Sequence, residues 1–94
     1  MHFIKVRDKR LRRFLESDDA SGLPSAIVSK LRIILTVLSM ARSVDEIASF
    51  PHWHPHLLSG DLEGYWSLRV TRNWRLIFQI EDMNIINLEL VDYH

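Results

Sequence analysis

Between Tyr65 and Leu90 the apolar residues fall on every second position, and this pattern restricts the fold more than any other feature of the chain. Trp66, Leu68 and Val70 alternate with Tyr65, Ser67, Arg69 and Thr71. Trp74, Leu76, Phe78 and Ile80 alternate with Arg75, Ile77 and Gln79, and Ile86, Leu88 and Leu90 alternate with Asn87 and Glu89. Successive side chains of a strand point to opposite faces, so each run has one side to bury and one to leave open. Three such runs joined by short turns, one of them Glu81-Asp82-Met83-Asn84, predict an antiparallel meander. The apolar set of each run then needs a covering layer.

The preceding segment supplies it. Phe3 to Val6 is a short β-like run, and Lys9 to Glu16 has helical spacing, with Leu11, Phe14 and Leu15 on one narrow face and Lys9, Arg10, Arg12 and Arg13 around it. Pro24 suits a helix start, and the stretch to about Ala41 is the strongest helix signal in the chain. Its polar residues Ser25, Ser29, Arg32, Thr36 and Ser39 form one thin stripe, so this helix must bury more than one face, against the sheet and against another helix or a partner chain. Ser43-Val44-Asp45-Glu46 is a capping box that opens a short helical turn to about Phe50. The order β-α-α-(short helix)-β-β-β predicts an α+β fold, an antiparallel sheet with helices packed on one face.

With 94 residues, 47% of them apolar, the chain reads as a single domain over residues 1–94. It contains no cysteine, which excludes disulfides, thiolate nucleophiles and cysteine-held metals. The start reaches charge at Lys5, and the longest uncharged apolar-rich stretch, Ile33 to Ala41, is far short of the roughly 20 residues a membrane span needs. A cytoplasmic protein without a membrane partner is expected. The formal net charge of zero is a cancellation: residues 1–42 sum to 9 − 4 = +5 and residues 43–94 to 3 − 8 = −5. Such segregation points to an anionic partner on one surface.

The outward face of the meander carries the chemistry. Arg69 and Arg75 fall on neighbouring strands at outward parity, and Asp92-Tyr93-His94 follows directly on the third strand. Each alone has a plain reading, a solvated arginine or a frayed end. Together they place two guanidiniums, a phenol and an imidazole on one open surface. Guanidinium grips phosphate by paired hydrogen bonds, and histidine and tyrosine move protons. That inventory suits cleavage of RNA by its own 2′-hydroxyl, which needs no metal or other cofactor. The basic cluster of the first helix, Lys9 and Arg12 included, becomes a phosphate-binding rim if it folds beside Arg69 and Arg75. His52, His54 and His56 alternate, but Pro51 and Pro55 interrupt any regular strand, so they are expected on a loop surface and not around a metal.

At this point the residues resemble a family. Gly60-Asp61-Leu62-Glu63-Gly64-Tyr65-Trp66-Ser67-Leu68-Arg69-Val70, then Asn73-Trp74-Arg75-Leu76-Ile77-Phe78 and a closing Asp92-Tyr93-His94 are similar to the HigB branch of the RelE/ParE toxin superfamily. The resemblance covers essentially the whole chain. It implies a RelE-like fold, a ribosome-dependent endoribonuclease that cuts mRNA in the A site, and a HigA-type antitoxin with a helix-turn-helix domain. It also implies that Arg75 is the transition-state arginine, that Tyr93 and His94 are a catalytic pair, and that His56 is an auxiliary acid or phosphate ligand. Arg69, Arg72, Asp92, Lys9 and Arg12 are then the expected RNA contacts.

Two departures matter. Ser59 stands where the family has a catalytic lysine, which removes a cation and weakens the expected activity. The family histidine aligns with His56, whereas the His-Pro pair itself is His54-Pro55. A non-enzymatic inhibitor of DNA gyrase, as in the ParE branch, and a degenerate relative that only binds its antitoxin remain the alternatives.

Overall fold

The first helix is set by one carboxylate. In the computed structural model, which describes residues 1–93, Asp8 accepts a hydrogen bond from the Arg10 backbone N–H at 3.0 Å and caps helix α1, Lys9–Ser17. Asp18 ends this helix in the left-handed conformation, its backbone N–H bonded to the carbonyls of Arg13 and Phe14. A 3-10 turn over Ser25–Ile27, just after Pro24, leads into α2, Val28–Met40. Ser43 then caps α3, Val44–Ala48, by accepting from the Glu46 N–H, and the Glu46 carboxylate reaches back to the Arg42 N–H. This is the reciprocal logic of the capping box, shifted by one residue at its second contact.

The strands are β1, His2–Phe3; β2, His56–Leu57; β3, Trp66–Arg69; β4, Trp74–Glu81; and β5, Asn84–Asp92. They form one sheet in the order β1-β5-β4-β3-β2. The expected meander β3-β4-β5 is present, with Asp82 and Met83 both at positive φ in the tight turn between β4 and β5. The sheet as a whole is mixed, which corrects the antiparallel expectation. The N-terminal strand pairs parallel with β5 (His2 with Asn84, Phe3 with Ile85), and Val6 bridges to Leu88. Strand β2 pairs antiparallel with β3 at the other edge.

Leu11 and Phe14 of α1, Leu31, Ile34, Leu35 and Leu38 of α2 and Ile47 of α3 pack with Leu68, Leu76, Phe78, Leu88 and Leu90 of the sheet in one core. Trp66 and Trp74 pack against the same core from its margin. The polar stripe of α2 is exposed as its spacing predicts, but so are Ile33 (60% exposed) and Met40 (73%). The helix therefore buries less of itself than its composition demands.

One register change reverses an assignment. Ile77 pairs with Glu89 and Gln79 with Ile86, so a single residue of β4 opposes two of β5. The extra residue is Asn87, at φ 53, with its side-chain amide donating to Gln79 Oε1 at 2.6 Å. A bulge of this kind inverts the side-chain alternation beyond it. Ile85, not Ile86, faces the helices, and Ile86 is buried on the opposite side with Ile77.

Candidate active site

The face turned away from the helices is a cleft, not an open surface. The segment after α3 folds back over it, through a 3-10 turn at Pro51–Trp53, strand β2 and a further 3-10 turn at Gly60–Leu62. The resulting cleft of about 400 Å³ is lined by His54, His56, Leu58 and Leu62 on one side and by Ser67, Arg69, Arg75, Ile77, Val91 and Tyr93 on the other. Ile77 and Ser67 form a floor that is almost closed to solvent.

Arg69 and Arg75 are direct register partners across β3 and β4. Like charges opposed in this way repel. The hairpin relieves the repulsion through its own backbone: Arg75 Nη1 donates to the carbonyls of Thr71 (2.7 Å), Arg72 (3.1 Å) and Trp74 (3.3 Å). All three bonds run from one nitrogen, so among the described residues Nε and Nη2 take no part in anchoring the side chain. The Arg75 guanidinium carbon also lies 4.4 Å from the centroid of the Tyr93 ring, within cation–π range. The Tyr93 backbone N–H donates to the Asn73 carbonyl at 2.6 Å, which holds the C-terminal segment against the β3–β4 turn. Its ring remains largely exposed.

On the opposite wall, His56 is the register partner of Ser67. Its Nδ1 lies 2.8 Å from the His54 carbonyl oxygen. A carbonyl only accepts, so Nδ1 carries the proton in this contact and Nε2 of a neutral ring is left as the acceptor. His54 adopts φ 47, which turns that carbonyl back toward His56. Both histidines line the cleft, joined by this contact. His52 does not join them, and among the described residues no group of three or more possible ligands gathers that could hold a metal.

Other expected contacts lie elsewhere. Asp92 pairs with Trp74 at the end of β5 and is not among the cleft-lining residues. Arg72 sits on the β3–β4 turn and faces a neighbouring groove. Lys9 and Arg12 are exposed on α1, which is anchored to the helical layer through Leu11 and Phe14, and neither lines the cleft with Arg69 and Arg75. Ser59 is exposed next to the cleft-lining Leu58, and His94 lies outside the described residues. The buried hydroxyl of Ser67 and the apolar lining from Leu58 and Leu62 were not anticipated. Both depend on β2 covering the sheet, and a two-residue strand has no periodicity to announce it.

Comparison with known proteins agrees with this architecture. The family described as RelE-like toxin of type II toxin-antitoxin system HigB matches residues 4–94. The chain is 33% identical over 88 residues to a protein named Endoribonuclease HigB from Proteus vulgaris, covering 94% of this chain and 95% of that one. It is 34% identical over 88 residues to Toxin HigB-1 of Vibrio cholerae, covering 93% of each. Among solved structures, YafQ from E. coli superposes with a TM-score of 0.63 at 15% identity, over 97% of this chain and 89% of that chain. The YoeB-YefM complex from Staphylococcus aureus gives a TM-score of 0.55 at 20% identity, over 99% and 93%. A match across nearly the whole length places this chain in the HigB-like family of RelE-like toxins of type II toxin–antitoxin systems.

Proposed function

We propose that this toxin is a metal-independent endoribonuclease that cuts mRNA in the ribosomal A site and is held in check by a HigA-type antitoxin with a helix-turn-helix domain. The observation that carries the reading is the pairing of Arg69 with Arg75 across one cleft wall, with Tyr93 under Arg75 and His56 on the facing wall. The name of the Proteus vulgaris relative supports ribonuclease chemistry. In the reaction the 2′-oxygen attacks phosphorus, the bond from phosphorus to the 5′-oxygen breaks, and the products are a 2′,3′-cyclic phosphate and a 5′-hydroxyl. Arg75, with Arg69 beside it, stabilises the charge that accumulates on the phosphorane oxygens. Tyr93 and His94 carry the proton from the 2′-hydroxyl and to the 5′-oxygen, and His56 Nε2 assists as acceptor or phosphate ligand.

The ends of the cut RNA test this. Purified toxin added to translating ribosomes is expected to leave 5′-hydroxyl ends that map within the A-site codon. Ends bearing 5′-phosphate would point to an activated water in place of the 2′-hydroxyl, and intact mRNA accompanied by DNA damage would point to gyrase inhibition. Ser59 gives a second test. It adjoins the cleft-lining Leu58, and a lysine there has the reach to return an ammonium to the rim. Ser59→Lys is expected to raise the cleavage rate by about threefold to tenfold, since one added cation near a developing anion contributes on the order of 1 kcal/mol. A rate unchanged by Ser59→Lys would mean that this chain has compensated for the missing lysine.

A further inference from the structure

A second groove, of about 430 Å³, adjoins the cleft, and Arg69 lines both. Lys30 of α2 and Arg72 of the β3–β4 turn complete a cationic wall, with the imidazole of His52 beside them. Among the described residues no carboxylate lines this groove, although the chain as a whole has no net charge. The two ion pairs among the described residues engage Arg10 and Arg32, so they leave these cations unneutralised. The aromatic residue of the groove, Trp53, is buried and stacked on Phe50 with ring centroids 4.3 Å apart. It has no exposed face on which a base could stack. Alongside the exposed Ile33, the groove presents point charges and fork donors that continue from the Arg69–Arg75 pair, which is the chemistry that recognises a chain of phosphates.

We propose that this groove binds the phosphodiester backbone of RNA adjoining the phosphate held at Arg75, with Lys30 and Arg72 as its principal contacts and Arg69 shared between the two sites. The proposal rests on the reading of the cleft as an RNA-cleaving site, and it extends the contact surface from β3 and β4 onto α2. The bound phosphates belong either to the message or to ribosomal RNA, and the geometry serves both. Recognition through backbone phosphates carries no sequence information of its own, so the groove contributes affinity and register.

Binding is best measured in an Arg75→Ala background, so that the RNA is not consumed. The probes are ribosomes with and without a bound message. Lys30→Ala combined with Arg72→Ala is expected to weaken binding by about tenfold and to reduce the dependence of log affinity on log salt by about 1.4, the value for two lost phosphate contacts on single-stranded RNA. Lys30→Arg combined with Arg72→Lys should restore both quantities, which loss of a merely structural role would not predict. A defect seen only with message bound assigns the phosphates to mRNA, and a defect in both preparations assigns them to the ribosome. Affinity and salt slope unchanged in both preparations overturn the proposal, as does a defect confined to antitoxin binding. The cleft reading fails separately, through wild-type toxin that makes no 5′-hydroxyl ends while the groove variants still lose affinity. Lys30 and Arg72 are both exposed, and circular dichroism of each variant confirms that its fold is intact.

Discussion

Arg75→Ala is expected to lower RNA cleavage by roughly a thousandfold while leaving a folded protein. The side chain has two jobs, and they use different atoms. Nη1 ties the guanidinium to three carbonyls of the β3–β4 turn, which fixes its position before substrate arrives. Arg75 lines the cleft with Arg69 and Tyr93, and Nε and Nη2 are the fork donors that those bonds leave for phosphate. Pre-positioned charge costs no reorganisation when the phosphorane forms, and removing one such group typically costs about 3–4 kcal/mol of barrier. The folding contribution is smaller, because water can replace the side chain at a partly exposed turn; about 1 kcal/mol is expected. Arg75→Lys separates the two jobs. A single ammonium cannot both hold the turn carbonyls and present a fork to phosphate, so lysine should recover little of the lost rate despite its charge. The decisive comparison is single-turnover cleavage on programmed ribosomes alongside thermal melting. A loss of less than tenfold, or a loss matched by unfolding, would remove Arg75 from the chemistry.

That arginine was legible in the sequence, and so was its face of the sheet, because strand alternation over Trp66 to Val70 and Trp74 to Ile80 is strict. The caps at Ser43 and the polar stripe of α2 were equally plain, since both depend on local spacing. What escaped was set at long range. The pairing of β1 with β5 joins residues at opposite ends of the chain, and no local pattern encodes it. The bulge at Asn87 follows two consecutive isoleucines, and with Ile85 and Ile86 equally apolar the alternation gives no hint of which faces the helices. Charge misled for a related reason. The basic half of the chain suggested the RNA surface, yet Lys9 and Arg12 fold on the helical layer. The cleft and the adjoining groove are instead lined by Arg69, Arg72 and Arg75, the three cations of the acidic half, and by Lys30 alone from the basic half. Net charge sums over the sequence, whereas binding depends on which side of the sheet a side chain is carried to.

Asp8→Ala is expected to cost more stability than any of the active-site substitutions, and its effect should reach the active site. Strand β1 ends early, so β5 beyond Leu88 lacks a strand partner on that edge. Asp8 and Arg10 stand in for one: the Leu90 N–H donates to Asp8 Oδ2 at 3.2 Å, and Arg10 Nη2 donates to the Leu90 carbonyl at 3.2 Å. The two side chains are themselves joined by paired bonds of 3.1 and 2.9 Å, and the same carboxylate caps α1. Removing it leaves the Leu90 N–H unpaired beneath the helix, uncaps α1 and frees Arg10, which has enough exposure to be rescued by water. These losses sum to about 3 kcal/mol, a fall in melting temperature of roughly 10–20 °C for a domain of this size. Asp8→Asn keeps an acceptor for the cap and should lose about half as much. The pH dependence follows from the same contacts. Burial of the Asp8 side chain, 7% exposed, raises its pKa, but the hydrogen bonds from Arg10 and from the Leu90 N–H outweigh it and hold the carboxyl below its ordinary value. A carboxyl depressed in the folded state contributes stability above its unfolded pKa and loses that contribution as pH falls through the folded one. Wild-type stability should therefore decline below about pH 4, and the part of that decline due to Asp8 should be absent in Asp8→Ala. Since Leu90 lies only three residues before Tyr93 on the segment that reaches Arg75, the variant should also cleave more slowly at temperatures where it remains folded. Melting curves from pH 3 to pH 7, taken with cleavage rates well below the transition, check both effects. A melting temperature within about 3 °C of wild type would show that the β5 edge does not need this pair.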